Sequence, residues 1–177
     1  MSALERMRVL DMTQYEAGTS CTQTLAWLGA DVVKLESPRG DPGRGVSRDP
    51  AVVSQYFLNY NSNKRSIVID LKSKAGHELL LRLVPKFDVF VENYGPGAME
   101  SLGIGYETLS ESNPGLIYGR IKGFGLSGPY SGYNCYDWVA QAAAGAFSVT
   151  GHADGPPLMP GTTVGDSGTG LQMALAI

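Results

Sequence analysis

What this chain of 177 residues lacks excludes several classes of protein. It has two cysteines and two histidines without a Cys-x-x-Cys pair or a metal-type spacing, so neither a zinc site nor a disulfide framework is indicated. No apolar run approaches the roughly 20 residues of a membrane span, and the first residues form no secretory core. We therefore expect a soluble protein of a reducing compartment, the cytoplasm, without a membrane partner.

Charge of one sign is also scarce. The chain has 14 Lys and Arg against 17 Asp and Glu, a formal net charge of -3, and no run of five like charges. A nucleic-acid-binding protein usually carries a basic patch or tail. We expect no nucleic-acid partner, and any anionic ligand must be held by local groups.

The common nucleotide-binding and hydrolase motifs are missing too. A dinucleotide site needs G-x-G-x-x-G after the first strand, where only Gly18 is present, and there is neither a P-loop nor a G-x-S-x-G sequence. His77 and His152 stand alone, so neither indicates a base for a serine or cysteine nucleophile.

What the sequence does have is a regular alternation of short apolar segments and helical patterns. Strands are predicted at 9–12, 31–36, 66–70, 88–92 and 116–121. Helices are predicted from an N-cap at Thr19 or Ser20 to a C′ residue at Gly29, from the N-cap Ser73 to Pro85, at 106–112, and at 137–147. Because parallel strands need crossover connections, this order predicts one α/β domain with a mostly parallel sheet covered by helices. Ligands of such sheets bind beyond the carboxyl ends of the strands.

The sequence also makes specific predictions for one loop and three helices. Residues 38–49 are predicted to form a loop. Leu79, Leu80 and Leu83 are predicted to share the buried face of their helix, and the Ala-rich helix at 137–147 is predicted to be buried. Residues 171–177 are strong helix formers, and the chain is expected to stop inside that helix.

One carboxylate is singled out by its local pattern. Asp166 follows Gly165 and precedes the helix-forming run at 171–177. A carboxylate at the start of a helix is stabilised as an anion by unpaired N–H groups and the helix dipole. We therefore expect Asp166 to stay ionised and to be a candidate nucleophile, while a helix N-cap is the alternative that the pattern leaves open.

Several motifs occur in a specific order. They are Leu-Ala-Trp-Leu-Gly-Ala-Asp-Val-Val-Lys-Leu-Glu at 25–36, Asn-Lys-Arg-Ser-Ile at 63–67, Val-Glu-Asn-Tyr-Gly-Pro-Gly at 91–97, Asn-Pro-Gly-Leu-Ile-Tyr at 113–118, Gly-Phe-Gly at 123–125 and Gly-Asp at 165–166. Together they resemble the class III coenzyme A transferases, the family that includes formyl-CoA:oxalate CoA-transferase and the 2-methylacyl-CoA racemases. The resemblance covers essentially the whole chain.

This resemblance implies a Rossmann-like α/β fold and an assembly. Residues 1–177 would be the N-terminal part of the family's large domain, without its small domain or its later glycine-rich loop. The family forms homodimers of interlocked chains, so this chain would be a fragment that associates with itself or with a separately encoded C-terminal half. Apolar surface would then be uncovered at Leu171, Met173, Leu175 and Ile177.

The resemblance also implies a covalent mechanism in which Asp166 is the nucleophile. Its carboxylate would attack an acyl-CoA to give an aspartyl acyl anhydride, and CoA would return to give an aspartyl-CoA thioester. A small carboxylic acid would then accept the CoA. Backbone N–H groups near Asp166 and at 16–17 would stabilise the oxyanions. Coenzyme A would be a substrate, and no permanently bound cofactor is implied.

Contacts with CoA are implied by position in the family. They carry over to Glu16, Ala17, Ile69, Asp70, Leu71, Lys72, Asn93, Tyr94, Gly95, Asn134, Cys135, Tyr136 and Asp137. Lys72 would supply charge for a phosphate, and the aromatic positions would flank adenine or pantetheine. Taken without the family, Lys72 is an ordinary solvated lysine, and Tyr94 and Tyr136 are ordinary packing residues.

Three positions depart from the family pattern. Glu16 stands where members often have Gln, Ser101 stands where they often have Arg, and no basic residue lies near Asn134. Arg39, Arg44, Lys64 or Arg65 are the candidates to compensate for the missing charge. The acceptor preference and the strength of CoA binding are therefore open.

Two other functions remain as alternatives. A 2-methylacyl-CoA racemase would use the same scaffold, but the histidine that the family's racemases have near positions 133–138 is missing. A non-catalytic CoA-binding module is the other alternative, because parts of the family pattern are missing.

Overall fold

The computed structural model describes residues 2–47, 49 and 51–177. Within these residues the strands are β1 (Arg8–Met12), β2 (Asp31–Glu36), β3 (Arg65–Val68), β4 (Val89–Glu92) and β5 (Ile117–Arg120). The α-helices are α1 (Ala17–Trp27), α2 (Gln55–Asn61), α3 (Lys74–Leu83), α4 (Ala98–Ser101), α5 (Tyr106–Ser112), α6 (Asp137–Ala143) and α7 (Thr169–Ala176). No described helix is long and apolar enough to cross a lipid bilayer.

The five strands form one sheet in the order β3-β2-β1-β4-β5, and all of the pairs are parallel. This confirms the predicted α/β fold, and the strand order is Rossmann-like. The order reverses between β1 and β4, so the chain leaves these neighbouring strands toward different parts of the sheet. A crevice is expected beyond their carboxyl ends, which is where the candidate site lies.

Apolar side chains form a core on each face of the sheet. Leu10 and Phe90 point to one face, where they pack with Leu80 of α3 and Leu109 of α5. Alternate strand residues point to the other face, where Val9, Val32, Val89 and Val91 pack with Cys21, Leu25 and Ala26 of α1. Because both faces of the central strands are buried, their sequences are mostly apolar and could be recognised.

The first helix begins earlier than the sequence predicted. The hydroxyls of Thr19 and Ser20 donate to the carbonyl of Glu16 at 2.9 and 2.8 Å, so both residues lie inside the first turn and neither is the N-cap. Such bonds to the preceding turn compete with capping. The other predicted ends are confirmed: Gly29 follows the helix with φ of +104°, and Ser73 accepts from the N–H of Gly76 at 3.0 Å.

Two predictions about helix burial are wrong. Leu79 is exposed on α3, because only Leu80 of the predicted trio is fully buried and Leu83 is partly buried. The helix predicted at 137–147 ends at Ala143, since Gly145 adopts φ of +83° and starts a 3-10 turn. Most of α6, including Trp138, is exposed, because it packs against the short turn before α7 rather than across the sheet.

The segment between β2 and β3 is only partly a loop. Residues Pro42–Gly45 form a 3-10 turn in which Asp41 accepts from the N–H of Gly43 at 2.7 Å. Arg48, which belongs to the predicted loop, lies outside the described residues. Helix α2 had not been predicted, and of its residues only Phe57 is buried.

Helix α7 exposes two of the four apolar side chains expected to be uncovered. Leu171 and Leu175 are 50% and 88% exposed, whereas Met173 and Ile177 pack against the core beside α1. The expectation was therefore right for one pair and wrong for the other. Residues four apart share a helix face, so Leu171 and Leu175 lie together on the outer side.

Helices α1 and α7 cross with their backbones in contact. A Cβ atom added at Gly170 would lie 2.4 Å from the carbonyl oxygen of Ala17 and 3.0 Å from the nitrogen of Cys21. Distances of this size are far inside van der Waals contact, and the atoms met belong to a helix backbone that cannot move aside cheaply. The crossing therefore requires glycine at position 170.

We expect Gly170→Ala to lower the free energy of unfolding by about 1–2 kcal/mol. Overpacking typically costs about 1–3 kcal/mol, while the better helix propensity of Ala returns about 1 kcal/mol at most. Urea unfolding of the purified chain measures the difference. Gly161→Ala is the matched control, because nothing lies within 4 Å of a Cβ added there. Equal stability of the two variants would show that α1 and α7 separate without cost.

Candidate active site

Asp166 lies in a π-helical turn, Val164–Gly168, that leads directly into α7. Gly168 occupies the N-cap position of α7, so the capping role considered for Asp166 belongs to a different residue. Single π-turns within helices are frequent at functional sites because they displace a side chain from the regular helical position. The turn presents Asp166 to a cavity in the surface.

Two buried carboxylates hold this turn from different sides. Glu16, the residue before α1, accepts at Oε1 from the hydroxyls of Thr163 and Ser167. Asp137, the first residue of α6, accepts at Oδ1 from the backbone N–H of Asp166 at 3.1 Å. The N–H of Asp166, one of the expected oxyanion donors, is therefore occupied in this structure.

Gly165 allows α6 to approach the turn. A Cβ atom added at Gly165 would lie 2.9 Å from Oδ1 of Asp137 and 3.4 Å from Cβ of Ala140. A side chain there would push against the carboxylate that binds the N–H of Asp166. The glycine of the Gly-Asp motif is thus explained by close packing.

The cavity beside Asp166 has a volume of about 310 Å³ and lies beyond the carboxyl ends of β1, β4 and β5. Nine of the residues predicted for the site line it, namely Glu16, Ala17, Asn93, Tyr94, Gly95, Asn134, Cys135, Tyr136 and Asp166. They come from segments far apart in sequence that the strand order brings to one edge of the sheet. This is the crevice expected where the strand order reverses.

The other predicted contacts lie elsewhere. Leu71 and Lys72 line a shallow surface cleft with Ser73, Lys74, His77, Ser101 and Leu102. Ile69 belongs to the core, and Asp70 accepts from the N–H of Lys72 at 3.1 Å. Asp137 is buried behind the turn of Asp166 rather than on the cavity wall. The structure does not bring these five residues into the cavity.

Asn93 links the two loops that flank the crevice. Its side-chain oxygen accepts from the N–H of Gln14 at 2.9 Å, and its side-chain nitrogen donates to the carbonyl of Gln14 at 2.8 Å. The amide thus pairs with the backbone across the point where β1 and β4 end. The side chain of Asn93 fixes the shape of the cavity.

Several lining residues had not been predicted from the sequence: Gln14, Tyr15, Lys122, Phe124, Tyr133 and Thr169. Lys122 follows β5 directly after Ile121, and its ammonium group donates to Oε2 of Glu92 at 2.8 Å and to the carbonyl of Tyr94. Polar residues just after each parallel strand could have been selected by the rule that ligands bind at carboxyl ends. That rule alone would have found Gln14 and Lys122.

The electrostatics of Asp166 differ from the sequence-based expectation. Burial raises the pKa of Asp166 to about 6, and the neighbouring charges of Glu16 and Asp137 add to the increase. The expectation that a helix terminus would favour the anion was wrong in direction, because Asp166 precedes α7 by a turn and faces two carboxylates. At pH 7 the ionised form of Asp166 is still about tenfold more populated than the protonated form.

The same site shifts neighbouring weak acids in the same direction. Burial raises the pKa of the Cys135 thiol, and the charge of Asp166 raises it further. Burial likewise raises the pKa of Tyr56, with contributions from Glu16 and Asp166. Both groups are therefore neutral at physiological pH.

Most of the basic residues expected to replace the missing arginine are already paired. The ion pairs are Arg44–Glu36 at 2.7 Å, Lys64–Asp11 at 3.0 Å and Arg65–Asp31 at 2.6 Å. Lys64 is also buried, which lowers its pKa. Burial of Lys64 speaks against its compensating for the missing arginine, whereas Arg44 and Arg65 are partly exposed in their ion pairs and Arg39 is exposed on the turn after β2. Among the residues described, no group of three or more His, Cys, Asp or Glu is arranged to hold a metal ion.

Comparison with known proteins places this geometry in context. The model of a family described as CoA-transferase family III matches residues 4–177. The chain is 53% identical over 176 residues to a formyl-CoA:oxalate CoA-transferase of Streptomyces coelicolor, and 50% identical over 177 residues to one of Rhodopseudomonas palustris. Each alignment covers 99% of this chain but 43% and 41% of the relatives, so the chain spans less than half of their length.

Solved structures agree with the fold. A CAIB/BAIF family protein from Brucella suis superimposes with a TM-score of 0.93 at 38% identity, and a hypothetical protein from Mycobacterium tuberculosis with 0.91 at 35%. Each covers 99% of this chain, which in turn covers 48% and 49% of those chains.

The raised pKa of Asp166 predicts a pH-dependent cost to stability. The folded chain binds the proton of Asp166 more tightly than the unfolded chain, so stability is lost as the pH rises from about 4 to about 6. We expect Asp166→Asn to raise the free energy of unfolding by about 1–2 kcal/mol at pH 8, after discounting for partial exposure, and to change it little at pH 4.

Urea unfolding at the two pH values measures this difference. Asp154→Asn, which removes an exposed carboxylate in a loop, is the control and should have no effect at either pH. An effect of Asp166→Asn that is the same at pH 4 and pH 8 would contradict the raised pKa.

Proposed function

Because the chain belongs to CoA-transferase family III, we propose that it supplies the nucleophile and part of the CoA site of an enzyme that transfers coenzyme A from an acyl-CoA to a small carboxylic acid. The observation that carries the proposal is the position of Asp166. Its carboxylate lines a cavity at the reversal point of a parallel sheet, together with eight other residues that the family pattern assigns to CoA.

The proposed reaction begins with attack of the Asp166 carboxylate on the thioester carbonyl of the acyl-CoA. The C–S bond breaks, CoA leaves as thiolate, and an aspartyl acyl anhydride remains. The thiolate then attacks the carbonyl of Asp166 and expels the donor carboxylate, which gives an aspartyl-CoA thioester. The acceptor carboxylate attacks this thioester to form a second anhydride. CoA thiolate attacks the acceptor carbonyl of that anhydride, which releases the new acyl-CoA and restores Asp166.

A carboxylate is a weak nucleophile toward a thioester, so the site must supply contact and charge stabilisation. Holding two reactants in register can be worth effective molarities of about 10⁵–10⁸ M. The raised pKa of Asp166 indicates a more basic carboxylate, which is a better nucleophile once it is ionised. The site thus favours reaction near neutral pH.

The oxyanion donors are proposed to come from the first turn of α1. Glu16 makes no side-chain capping bond to its own helix, because its Oε1 is directed to Thr163 and Ser167. The N–H groups of the first turn, which begins at Ala17 on the cavity wall, have no partner within the helix. They are suited to donate to a tetrahedral oxyanion.

CoA is proposed to use both depressions in the surface. The cavity of Asp166 would take the thioester end, and the cleft that contains Lys72 and Lys74 would take phosphates of the nucleotide end. Both lysines are exposed, so each can turn toward a phosphate. The side-chain amide of Asn93 is paired with the backbone of Gln14, so we propose that Asn93 shapes the cavity wall rather than binding CoA through its side chain.

A covalent adduct on Asp166 is the central prediction. Incubation with formyl-CoA or another acyl-CoA followed by hydroxylamine should convert Asp166 to a hydroxamate, because both the anhydride and the thioester are reactive acyl groups. Peptide mass spectrometry locates the modified residue. Asp166→Asn should abolish modification, and Asp154→Asn should retain it.

The other outcomes distinguish the alternatives. Modification elsewhere, or CoA transfer by Asp166→Asn, would contradict the proposed mechanism. Exchange of the α-proton of a 2-methylacyl-CoA with deuterated solvent, without CoA transfer, would favour a racemase. Tight CoA binding in calorimetry with neither adduct nor exchange would favour a binding module.

Assembly is the second part of the proposal. Residues 1–177 are proposed to be the N-terminal part of a larger Rossmann-like domain that works as a dimer. Leu171 and Leu175 form an exposed apolar strip on α7, the helix that follows the nucleophile. Such a strip is suited to be covered by another chain.

We expect the purified chain to associate in a concentration-dependent way through this strip. Leu175→Lys should shift the sedimentation coefficient toward that of the monomer, because a charge on the strip opposes its burial. Val68→Lys, at an exposed residue of the edge strand β3, is the control. A monodisperse monomer at all concentrations, or equal effects of both variants, would contradict association through α7.

A further inference from the structure

The side chain of Glu16 is buried although it lies at the end of a helix. Only 3% of its surface is exposed, and Oε1 accepts from both Thr163 and Ser167. These two residues bracket Asp166, since Thr163 precedes the π-helical turn and Ser167 lies within it. Glu16 therefore binds the chain on both sides of the proposed nucleophile.

A carboxylate at this position has two separable effects. Hydrogen bonds to an ionised acceptor are roughly twice as strong as bonds between neutral groups. The charge of Glu16 therefore strengthens its hydrogen bonds to the turn. The same charge opposes a second negative charge nearby. Burial strengthens both effects, because little water screens them.

On these contacts, we infer that Glu16 is a positioning residue for Asp166. Its carboxylate ties the start of α1 to the turn of the nucleophile, and its charge sets the pH at which that nucleophile becomes active. The role of Asp166 as a nucleophile rests on the proposed function, whereas the contacts of Glu16 with the turn do not.

Other ionisable groups face Asp166, but few of them change charge between pH 5 and 8. Asp137 of α6 contributes a second negative charge, while Tyr56 of α2 and Cys135 remain neutral because their pKa values are raised. Lys122, after β5, lines the same cavity but is paired with Glu92 at 2.8 Å. Tyr60 of α2 faces Glu16, and its pKa is raised chiefly by burial. After burial, which has the largest effect, Glu16 and Asp137 are therefore the charged neighbours that raise the pKa of Asp166.

The charge effect can be measured without any activity. In the chain labelled with ¹³C at the Asp side-chain carboxyl carbons, Asp166→Asn identifies the signal of Asp166 by its loss. We expect this signal to titrate near pH 6 in the wild type and about one pH unit lower in Glu16→Gln, which keeps the size and an acceptor but removes the charge. Glu107→Gln, an exposed change on α5, is the matched control and should leave the midpoint in place.

The positioning effect is measured by the rate of adduct formation on Asp166. With a midpoint one unit lower, Glu16→Gln should form the adduct about two- to fivefold faster than wild type at pH 5, because the larger ionised fraction of Asp166 outweighs its lower basicity. At pH 8.5 Asp166 is ionised in every variant, so Glu16→Gln should lose this advantage and be a few-fold slower than wild type, because its Asp166 carboxylate is less basic. Glu16→Ala, which loses the grip on both hydroxyls, should be at least tenfold slower at that pH.

Each result decides the inference. An unchanged midpoint in Glu16→Gln overturns it, even if the adduct forms normally, and so does full activity of Glu16→Ala at pH 8.5. A lowered midpoint supports it also when Glu16→Ala does not fold, since Glu16→Gln carries that measurement. A lowered midpoint in a chain that forms no adduct at any pH supports the role of Glu16 toward Asp166 and contradicts only the proposed function.

Discussion

Because Gly170 has no Cβ, the backbone of α7 rests directly on the backbone of α1, and the geometry of the site depends on this contact. Helix α1 starts just beyond the carboxyl end of β1, where the strand order reverses. The close crossing brings the turn before α7 to that same place. Glu16 can then reach Thr163 and Ser167, and Asp166 is held against the crevice. A larger side chain at position 170 would separate these groups even if the sheet were unchanged.

Beneath the crevice, buried ion pairs fix the loops that form it. Lys64 binds Asp11 of β1, and Lys34 of β2 binds Asp41 while donating to the carbonyl of Thr13 at 2.7 Å. Burial of Asp11 would raise its pKa, but the two lysines overcome this effect and lower the pKa to about 2. Taking ions out of water costs several kcal/mol each, so these pairs contribute less to net stability than to a single arrangement of the loops. Lys64, which the sequence offered as a replacement for the missing arginine, is thus part of the scaffold.

The sequence was most informative where burial on both faces made the strands apolar. The predicted strands match the observed ones within one or two residues, most closely for the buried strands β1, β2 and β4, whose pattern records their environment directly. Exposure of α6 and of Leu79 could not be read in this way, since composition does not reveal which neighbours cover a helix. Asp166 was found through a motif, but its surroundings were not, because Glu16 lies 150 residues earlier and meets the turn only through the crossing at Gly170. The sequence therefore indicated Asp166 as a candidate but did not reveal the buried carboxylates around it.

Burial and the neighbouring carboxylates change the acid-base properties of Asp166. A carboxylate at an exposed helix terminus would ionise readily and be a weak base, whereas burial and two neighbouring carboxylates make Asp166 more basic. Greater basicity favours attack on a thioester, but only while the pKa stays below the working pH. A value of about 6 lies in the narrow range where both conditions hold near pH 7. The carboxylates that bind the turn also oppose the negative charge of Asp166, so the contacts that orient this proposed nucleophile are the same ones that raise its pKa.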